Sequence, residues 1–389
     1  MLHFFLFVPL VGLLAALLAG CMAGAPPGRF APAETPVGLR VGDIVDTRSG
    51  KTISSEKLME DLAQARVVYV GETHTSTEDH QVQLEISEGL YAKNHSLLLA
   101  MEMFPRQAQP ALDRYTQSLS SEEAFLEESQ WSKVWGFPFE LYRPIVSFAQ
   151  DRHLKILALN IPPSIAHKIS RSGLDSLTPE ERSKVAEQFN FQDIEHRMHI
   201  QEEYDSHAKE YIKEFQTFYE AQLAWEETMA ETLARAVSSF SGKEQIVVVI
   251  GRGHINYRFG VPKRASDRVA HTYRTVVPLP VNYEGSMIDP KLADYVWVTK
   301  IPESSQRARL GVMVRALLSG DGLEVLGVLP DSPAAKAGIQ KGDIIRDIDG
   351  SAVKSVEELH KVIAENSRVH EITIKRGNRL IPLTAFISH

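Results

Sequence analysis

Five short apolar runs constrain this chain more than any other feature. Val67–Val70, Ser96–Met103, Lys155–Ile161, Gln245–Ile250 and Thr275–Val281 are continuous stretches rich in Val, Ile and Leu. A strand with one wet face alternates apolar and polar residues, whereas a continuous run marks a strand buried on both faces. Covering both faces takes helices above and below the sheet, and long amphipathic segments separate the runs. The pattern predicts an α/β domain with a parallel sheet over about residues 41–300. Helix starts are expected at Ser120 with Glu123, and at Thr178, where Pro179 opens the first turn and Glu181 follows three residues on. Phe191 to Val237 reads as a long, charged helical insertion carrying Tyr211, Phe215, Phe218, Tyr219 and Trp225.

From about residue 305 the pattern changes to short strands at Arg309–Leu317, Gly322–Val328, Asp343–Ile348, Glu371–Lys375 and Arg379–Phe386. Two helices fit between them. One is Ser332–Ala337, with Pro333 in its first turn and Gly338 as cap; the other is Ser355–Glu365, opened by Ser355 and Glu358. The run Ser332-Pro333-Ala334-Ala335-Lys336-Ala337-Gly338-Ile339-Gln340-Lys341-Gly342-Asp343-Ile344-Ile345-Arg346-Asp347-Ile348-Asp349-Gly350 closely resembles the PDZ signature of bacterial envelope proteases. The resemblance implies a small β-rich PDZ domain with two helices over about 305–389. Leu310-Gly311-Val312 stands in the place of that family's carboxylate-binding loop, and Val356, Leu359 and Ile363 would line the helical wall of a peptide groove.

The strand ends of the larger domain hold the polar residues. Gly71-Glu72-Thr73-His74 follows the first run, the second leads into Met101-Glu102-Met103-Phe104, the third finishes at Asn160, and Gly251-Arg252-Gly253-His254 follows the fourth. In an open parallel sheet ligands bind outside the carboxyl ends of the strands, so Glu72, His74, Glu102, Asn160, Arg252 and His254 are expected to converge there. A structural network of satisfied polar groups is the alternative use of the same residues. Together with Tyr142-Arg143-Pro144-Ile145, these motifs resemble the ChaN family of iron-regulated haem-binding lipoproteins over about residues 41–283. The resemblance implies haem binding on the helical part, an iron ligand from a side chain, and a role in envelope iron uptake. More distantly, Gly-Glu-x-His and Gly-x-x-His are similar to erythromycin esterase-like and Tiki-type proteins. That similarity implies a hydrolase in which His74 or His254 is general base and Glu72 or Glu102 orients it or a water.

Haem iron takes His, Cys, Met or Tyr as protein ligands. His196, His199 and His207 fall roughly on one helical face with Tyr204 at its edge, and any of the four could be the ligand. Trp131, Trp135, Phe137, Phe139 and Tyr142 could wall a porphyrin, although aromatics at such spacing more often form core. His196-x-x-His199 alone is a weak signal for a simple divalent metal.

Cys21 is the chain's one cysteine, which excludes an internal disulfide and a multi-cysteine zinc site. The apolar run Phe4–Leu18 leads into Leu18-Ala19-Gly20-Cys21, which resembles the lipobox of bacterial lipoproteins, although Met1-Leu2-His3 lacks the usual Lys or Arg. The expected division is a signal peptide over 1–20, then a lipidated Cys21 with a Pro-rich tether over 21–40. Met22 follows the cysteine instead of an inner-membrane retention Asp, so an outer-membrane anchor facing the periplasm is expected. A net charge of −8 without a basic stripe excludes nucleic acid as a partner. No phosphate loop, His-Glu-x-x-His or Gly-x-Ser-x-Gly is present. The leading expectation is a non-enzymatic envelope lipoprotein that binds haem and, through its PDZ domain, a partner's C-terminal peptide. Self-association into a homodimer is a further expected partnership. The alternatives are the hydrolase and an adaptor working through the PDZ groove alone.

Overall fold

The computed structural model describes residues 38–208, 212, 214–280, 288–300, 310–317, 321–328, 332–355, 358–359, 362–363 and 369–387, with backbone only at 207, 208, 313, 315 and 316. Cys21, its tether, Val356 and the His207 side chain lie outside the described residues. The chain divides into two compact units, Met1–Pro302 and Glu303–His389.

The first unit is built on an eight-stranded sheet. Its strands are β1 (Ile44–Asp46), β2 (Lys51–Ile53), β3 (Val67–Glu72), β4 (Leu97–Pro105), β5 (Ile156–Asn160), β6 (Gln245–Gly251), β7 (Tyr273–Pro280) and β8 (Tyr295–Thr299), in the spatial order β2-β1-β8-β7-β3-β6-β4-β5. The five runs of the sequence supply the parallel centre: β3 pairs with β6 from Val67↔Ile246 to Glu72↔Gly251 and with β7 from Val67↔Tyr273, while β6 and β5 flank β4. Only β1 runs against the rest of this sheet, pairing antiparallel with β2 and with β8. Three residues each is too short to give a legible run, so sequence reading passes them over.

Helices cover both faces. On one lie α1 (Ser55–Leu62), α2 (Thr77–Lys93), α3 (Gln109–Thr116), α4 (Glu122–Glu128), α5 (Trp131–Val134) and α6 (Arg143–Asp151). On the other lie α7 (Pro163–Ser172), α9 (Ile194–Glu203), α10 (Phe215–Ser238) and α11 (Val261–Arg268), with the single turn α8 (Pro179–Arg182) before α9. The strands divide their side chains by parity, as the two-residue period requires. Val68, Val70, Leu99, Met101, Val247 and Val249 enter the first core, and Val67, Tyr69, Ala100, Ile246, Val248 and Ile250 enter the second. Helices after β3 and β4 pack on one face and helices after β5 and β6 on the other, so β6 and its neighbours β3 and β4 meet where the winding changes side.

Two helix expectations change. Ser121, not Ser120, caps α4, its side chain accepting from the Ala124 N–H, because only from that register does the oxygen reach the third helical amide. The long insertion is two helices: α9 ends in a π-helical turn at Tyr204–Ala208, and α10 starts afresh at Phe215. The Thr178–Glu181 capping box forms as expected.

The second unit is an antiparallel sheet of β9 (Val312–Ala316), β10 (Leu323–Val328), β11 (Ile344–Ile348), β13 (Val369–Arg376) and β14 (Arg379–Phe386) in the order β14-β13-β11-β10-β9, with β12 (Ser351–Ala352) beside β11. Ser332 caps α12 (Pro333–Ala337), and Gly338 ends it at φ +86°, a left-handed conformation that disfavours a side chain. Asp343, buried at the turn into β11, accepts two hydrogen bonds of 2.7 Å from Arg376. Among the described residues β9 pairs only with β10, which leaves its other edge open.

Candidate functional site

The strand ends converge as a buried chain of ionisable groups. Glu72, the last residue of β3, is fully buried; His74 Nδ1 lies 2.7 Å from its Oε1, the Tyr142 hydroxyl donates to the same oxygen at 2.7 Å, and His80 Nδ1 lies 3.1 Å from Oε2. Burial alone would raise the Glu72 pKa, but His80 and His74 outweigh it and hold the carboxyl far below the usual carboxylate range. Burial likewise lowers the His80 pKa, yet Glu72 reverses that and holds it at about 8. Glu102 points from β4 toward β6, where its Oε2 accepts the Gly251 N–H at 2.6 Å and its Oε1 lies 3.4 Å from His254 Nε2. Asn160 donates to the Glu102 carbonyl at 3.0 Å, tying the end of β5 into the same place.

The chain continues into residues that sequence reading missed. Glu226, in the middle of α10 and fully buried, lies 3.4 Å from His254 Nδ1, 2.8 Å from His196 Nε2 and 3.3 Å from Arg264 Nε. Burial raises its pKa, but His196, His254 and Arg264 hold it well below the ordinary value. Glu227 then takes Arg264 at 2.6 Å and Arg268 at 2.7 Å. A sequence signal existed: Glu226 sits three residues after Leu223 and three, four and seven before Met229, Ala230 and Leu233, on the apolar stripe of its helix.

This geometry assigns roles. His254 has a carboxylate at each ring nitrogen; burial would lower its pKa, but Glu102 and Glu226 raise it well above the ordinary histidine value. Both ring nitrogens of His254 thus face carboxylates, each at 3.4 Å. His74 is different: its Nε2 is buried with no hydrogen-bond partner, and a Cβ on Gly251 would lie 2.8 Å from its Cε1 and 3.3 Å from Glu102 Oε2. Beside these groups a small crevice is lined by Glu102, Trp135, Asn160, Ile161, Pro163 and Trp225.

The candidate haem ligands separate cleanly. His196 is spent, with Nε2 on Glu226 and Nδ1 3.0 Å from an Arg264 nitrogen. Tyr204 is core, donating its hydroxyl to the Ile212 carbonyl at 2.8 Å and packing its ring on Phe215 and Phe218. Both side chains thus have protein partners, on the buried side of α9 and of the turn that follows it. His199 makes ring contacts only, with Tyr257 at 5.3 Å and Phe259 at 5.9 Å, and is half-buried with no hydrogen bond among the described residues. Burial, aided by His196, lowers its pKa, which keeps the neutral, ligating form of the ring. Ile194 and Met198 stand 70% and 61% exposed on the same helix, apolar surface of the kind a porphyrin covers. The donor chemistry at His199 therefore fits haem. The expected aromatic wall does not: Trp131, Trp135, Phe139 and Tyr142 are buried and pack with Phe104 and Phe125 into the core behind Glu72 and His74, with Phe137 half-buried beside them.

In the second unit Leu310 is buried and its carbonyl accepts the Ala334 N–H at 2.8 Å, while Gly311, at φ +78°, leaves no room for a Cβ against Ser332. Leu359 and Ile363 are buried in that unit's core and do not form an exposed wall.

Comparison with known proteins places these features. Residues 58–265, more than half of the chain, match the family described as "Haem-binding uptake, Tiki superfamily, ChaN". Residues 324–376 match a PDZ domain family. The solved structure titled "Cofacial heme binding to ChaN of Campylobacter jejuni" aligns with a TM-score of 0.53 at 23% identity, over 65% of this chain and 95% of that one. RETICULATA-RELATED 5, chloroplastic, of Arabidopsis thaliana is 24% identical over 264 residues, 62% of this chain and 35% of that protein. The periplasmic pH-dependent serine endoprotease DegQ of Escherichia coli is 39% identical over 64 residues, which are 16% of this chain and 14% of that one. The chain thus spans about a third or less of these two curated relatives.

Two outcomes follow from the buried chain. Glu226→Ala should destabilise the first unit by ~3–5 kcal/mol, because it leaves His254, His196 and Arg264 without their shared carboxylate; a denaturant midpoint close to wild type would contradict this. For His80 the folded pKa is raised from 6.5 to about 8, so its contribution is complete below pH 6.5 and is lost as pH rises through 8. Urea midpoints measured from pH 6 to 9 should fall across that window by the equivalent of ~2 kcal/mol, and His80→Gln should flatten the fall.

Proposed function

This chain belongs to the ChaN family of haem-binding uptake proteins in the Tiki superfamily, and on that premise we propose that it binds haem on the outer side of α9 with His199 holding the iron. The observation that carries the reading is the pair of unclaimed ring nitrogens on His199, a half-buried imidazole that Tyr257 and Phe259 keep in place. Ile194 and Met198 are exposed apolar residues on the same helix. When bound, haem supplies the iron centre and its absorbance; this chain supplies the ligand, the apolar contact and the rigid scaffold behind them.

The remaining parts complete an envelope protein of iron or haem uptake. Cys21, at the end of the lipobox-like Leu18-Ala19-Gly20, is the lipidation site that anchors it at the outer membrane facing the periplasm. The PDZ unit presents the open edge of β9, beside Leu310-Gly311-Val312, to the C-terminal peptide of an envelope partner. A second reading, hydrolysis, is favoured by one observation: Glu72 orients His74 through Nδ1 and leaves Nε2 without a partner, the arrangement of an oriented base.

Hemin titrated into the purified protein should give a saturable Soret shift. His199→Ala should weaken binding at least ~10-fold, the loss of one ligand bond, whereas His196→Gln should lower stability and keep the Soret signature. No saturable shift in wild type would sink the haem reading. For the second reading, turnover of ester or peptide pools should vanish in His74→Ala; no turnover by the wild-type protein removes it.

A further inference from the structure

In the second unit the segment that leads into the open strand β9 is held from behind by α12. Leu310 and Gly311 belong to no strand, and their two carbonyls both turn onto the start of that helix. The Leu310 carbonyl accepts the Ala334 N–H at 2.8 Å, and the Gly311 carbonyl accepts the Ser332 hydroxyl at 3.4 Å. A Cβ on Gly311 would lie 2.3 Å from the Ser332 Cβ, so the loop backbone rests directly on the residue that caps the helix. Ser332 serves two partners at once. Its Oγ accepts the Ala335 N–H at 3.2 Å, which fixes the first turn, while its own proton goes to Gly311.

These contacts decide where the loop's amides point. In a trans peptide unit the C=O and the N–H that follows it lie in one plane and face opposite ways. All peptide bonds among the described residues are trans. Turning the Leu310 and Gly311 carbonyls onto α12 therefore turns the N–H groups of Gly311 and Val312 away from it. Among the described residues the Gly311 N–H has no acceptor. The helix keeps no donor of its own for a ligand: Pro333 has no N–H, Ala334 gives its N–H to Leu310, and those of Ala335 and Lys336 return to Ser332.

We propose that Ser332 is a positioning residue for the peptide site. Acting through Gly311, it aims the loop's N–H groups at a peptide's terminal carboxylate and so makes the site select free C-termini. This rests on the peptide-binding reading of the second unit. Amides fixed before the peptide arrives need no ordering when it binds, and a carboxylate gains most from such donors. Strand addition along β9 uses other backbone groups, so a peptide without the carboxylate does not depend on Ser332.

The test uses two synthetic pools of random decapeptides, one with free C-terminal carboxylates and one amidated, passed over the immobilised full chain. The sequence retained best from the acid pool is then made in both forms and titrated by fluorescence anisotropy. Wild type should bind the acid about ten- to a hundred-fold more tightly than the amide, the factor expected for hydrogen bonds to a charge. Ser332→Ala should lose most of that preference, while its affinity for the amide stays within about twofold of wild type. Ser332→Thr keeps the hydroxyl and should keep the preference. Ser332→Gly should behave like Ser332→Ala, and glycine at an N-cap costs the helix little. Equal wild-type affinity for acid and amide overturns the proposal and leaves peptide binding standing. So does a wild-type ratio retained in Ser332→Ala and Ser332→Gly, or equal weakening of both forms. Retention of neither pool by wild type overturns both readings. Should no variant fold, nitrogen-15 glycine labelling of the wild-type chain decides: the Gly311 amide signal should move with the acid form and not with the amide, and an unmoved signal overturns the proposal.

Discussion

The carboxylate of Glu226 is the constraint on which the rest of the first unit depends. It comes from the apolar layer of α10 and meets three partners from three other places: His254 past the end of β6, His196 on α9 and Arg264 on α11. A charge buried that deeply is tolerated only when fully partnered, so each of these elements has one acceptable position relative to α10. The interaction adds little net stability compared with a well-packed apolar cluster. It specifies how the helices after β5 and β6 are seated over the sheet, and therefore which residues those helices turn outward.

Partition between a closed and an open layer follows. Close to the sheet, Glu72, His74, His80, Glu102 and His254 hold one another with almost no exposure, and Gly251 is small because His74 and Glu102 occupy the space a side chain would need. One layer out, His199 and Arg252 are half-buried and unclaimed. The inner layer shapes the scaffold. His74 is the exception within the closed layer, and it is the residue that keeps hydrolysis in view.

Much of this was legible in the sequence because continuous apolar runs and strand-end polar residues report directly on a doubly covered parallel sheet. The same periodicity could not separate the candidate ligands by their surroundings. His196, His199 and Tyr204 share a helical face by spacing, but spacing cannot say that the Glu226 carboxylate lies opposite His196, or that the Ile212 carbonyl lies opposite the Tyr204 hydroxyl. Glu226 itself was visible only as a charge on an apolar stripe, a place a carboxylate occupies only when partnered, and spacing does not name the partners. Trp131 and Tyr142 were legible as aromatic but not as core, since the turn that folds them back on Glu72 has no local signature. In the PDZ unit the turns at Gly338 and Gly342 were legible for the opposite reason: a left-handed backbone demands one residue type.

Tyr257 and Arg258 are consecutive residues with φ of +57° and +64°. Conformations of this kind cost on the order of 1–3 kcal/mol each for residues with a side chain, yet they turn the Tyr257 ring against His199 and aim Arg258 at Asp294. Glycine or asparagine at either position would relax the backbone. The same change at Tyr257 would release the imidazole from its neighbour. Selection for thermal stability and selection for the His199–Tyr257 contact therefore pull on this turn in opposite directions, and variants of this protein sorted only for resistance to heat should accumulate there at the expense of that contact.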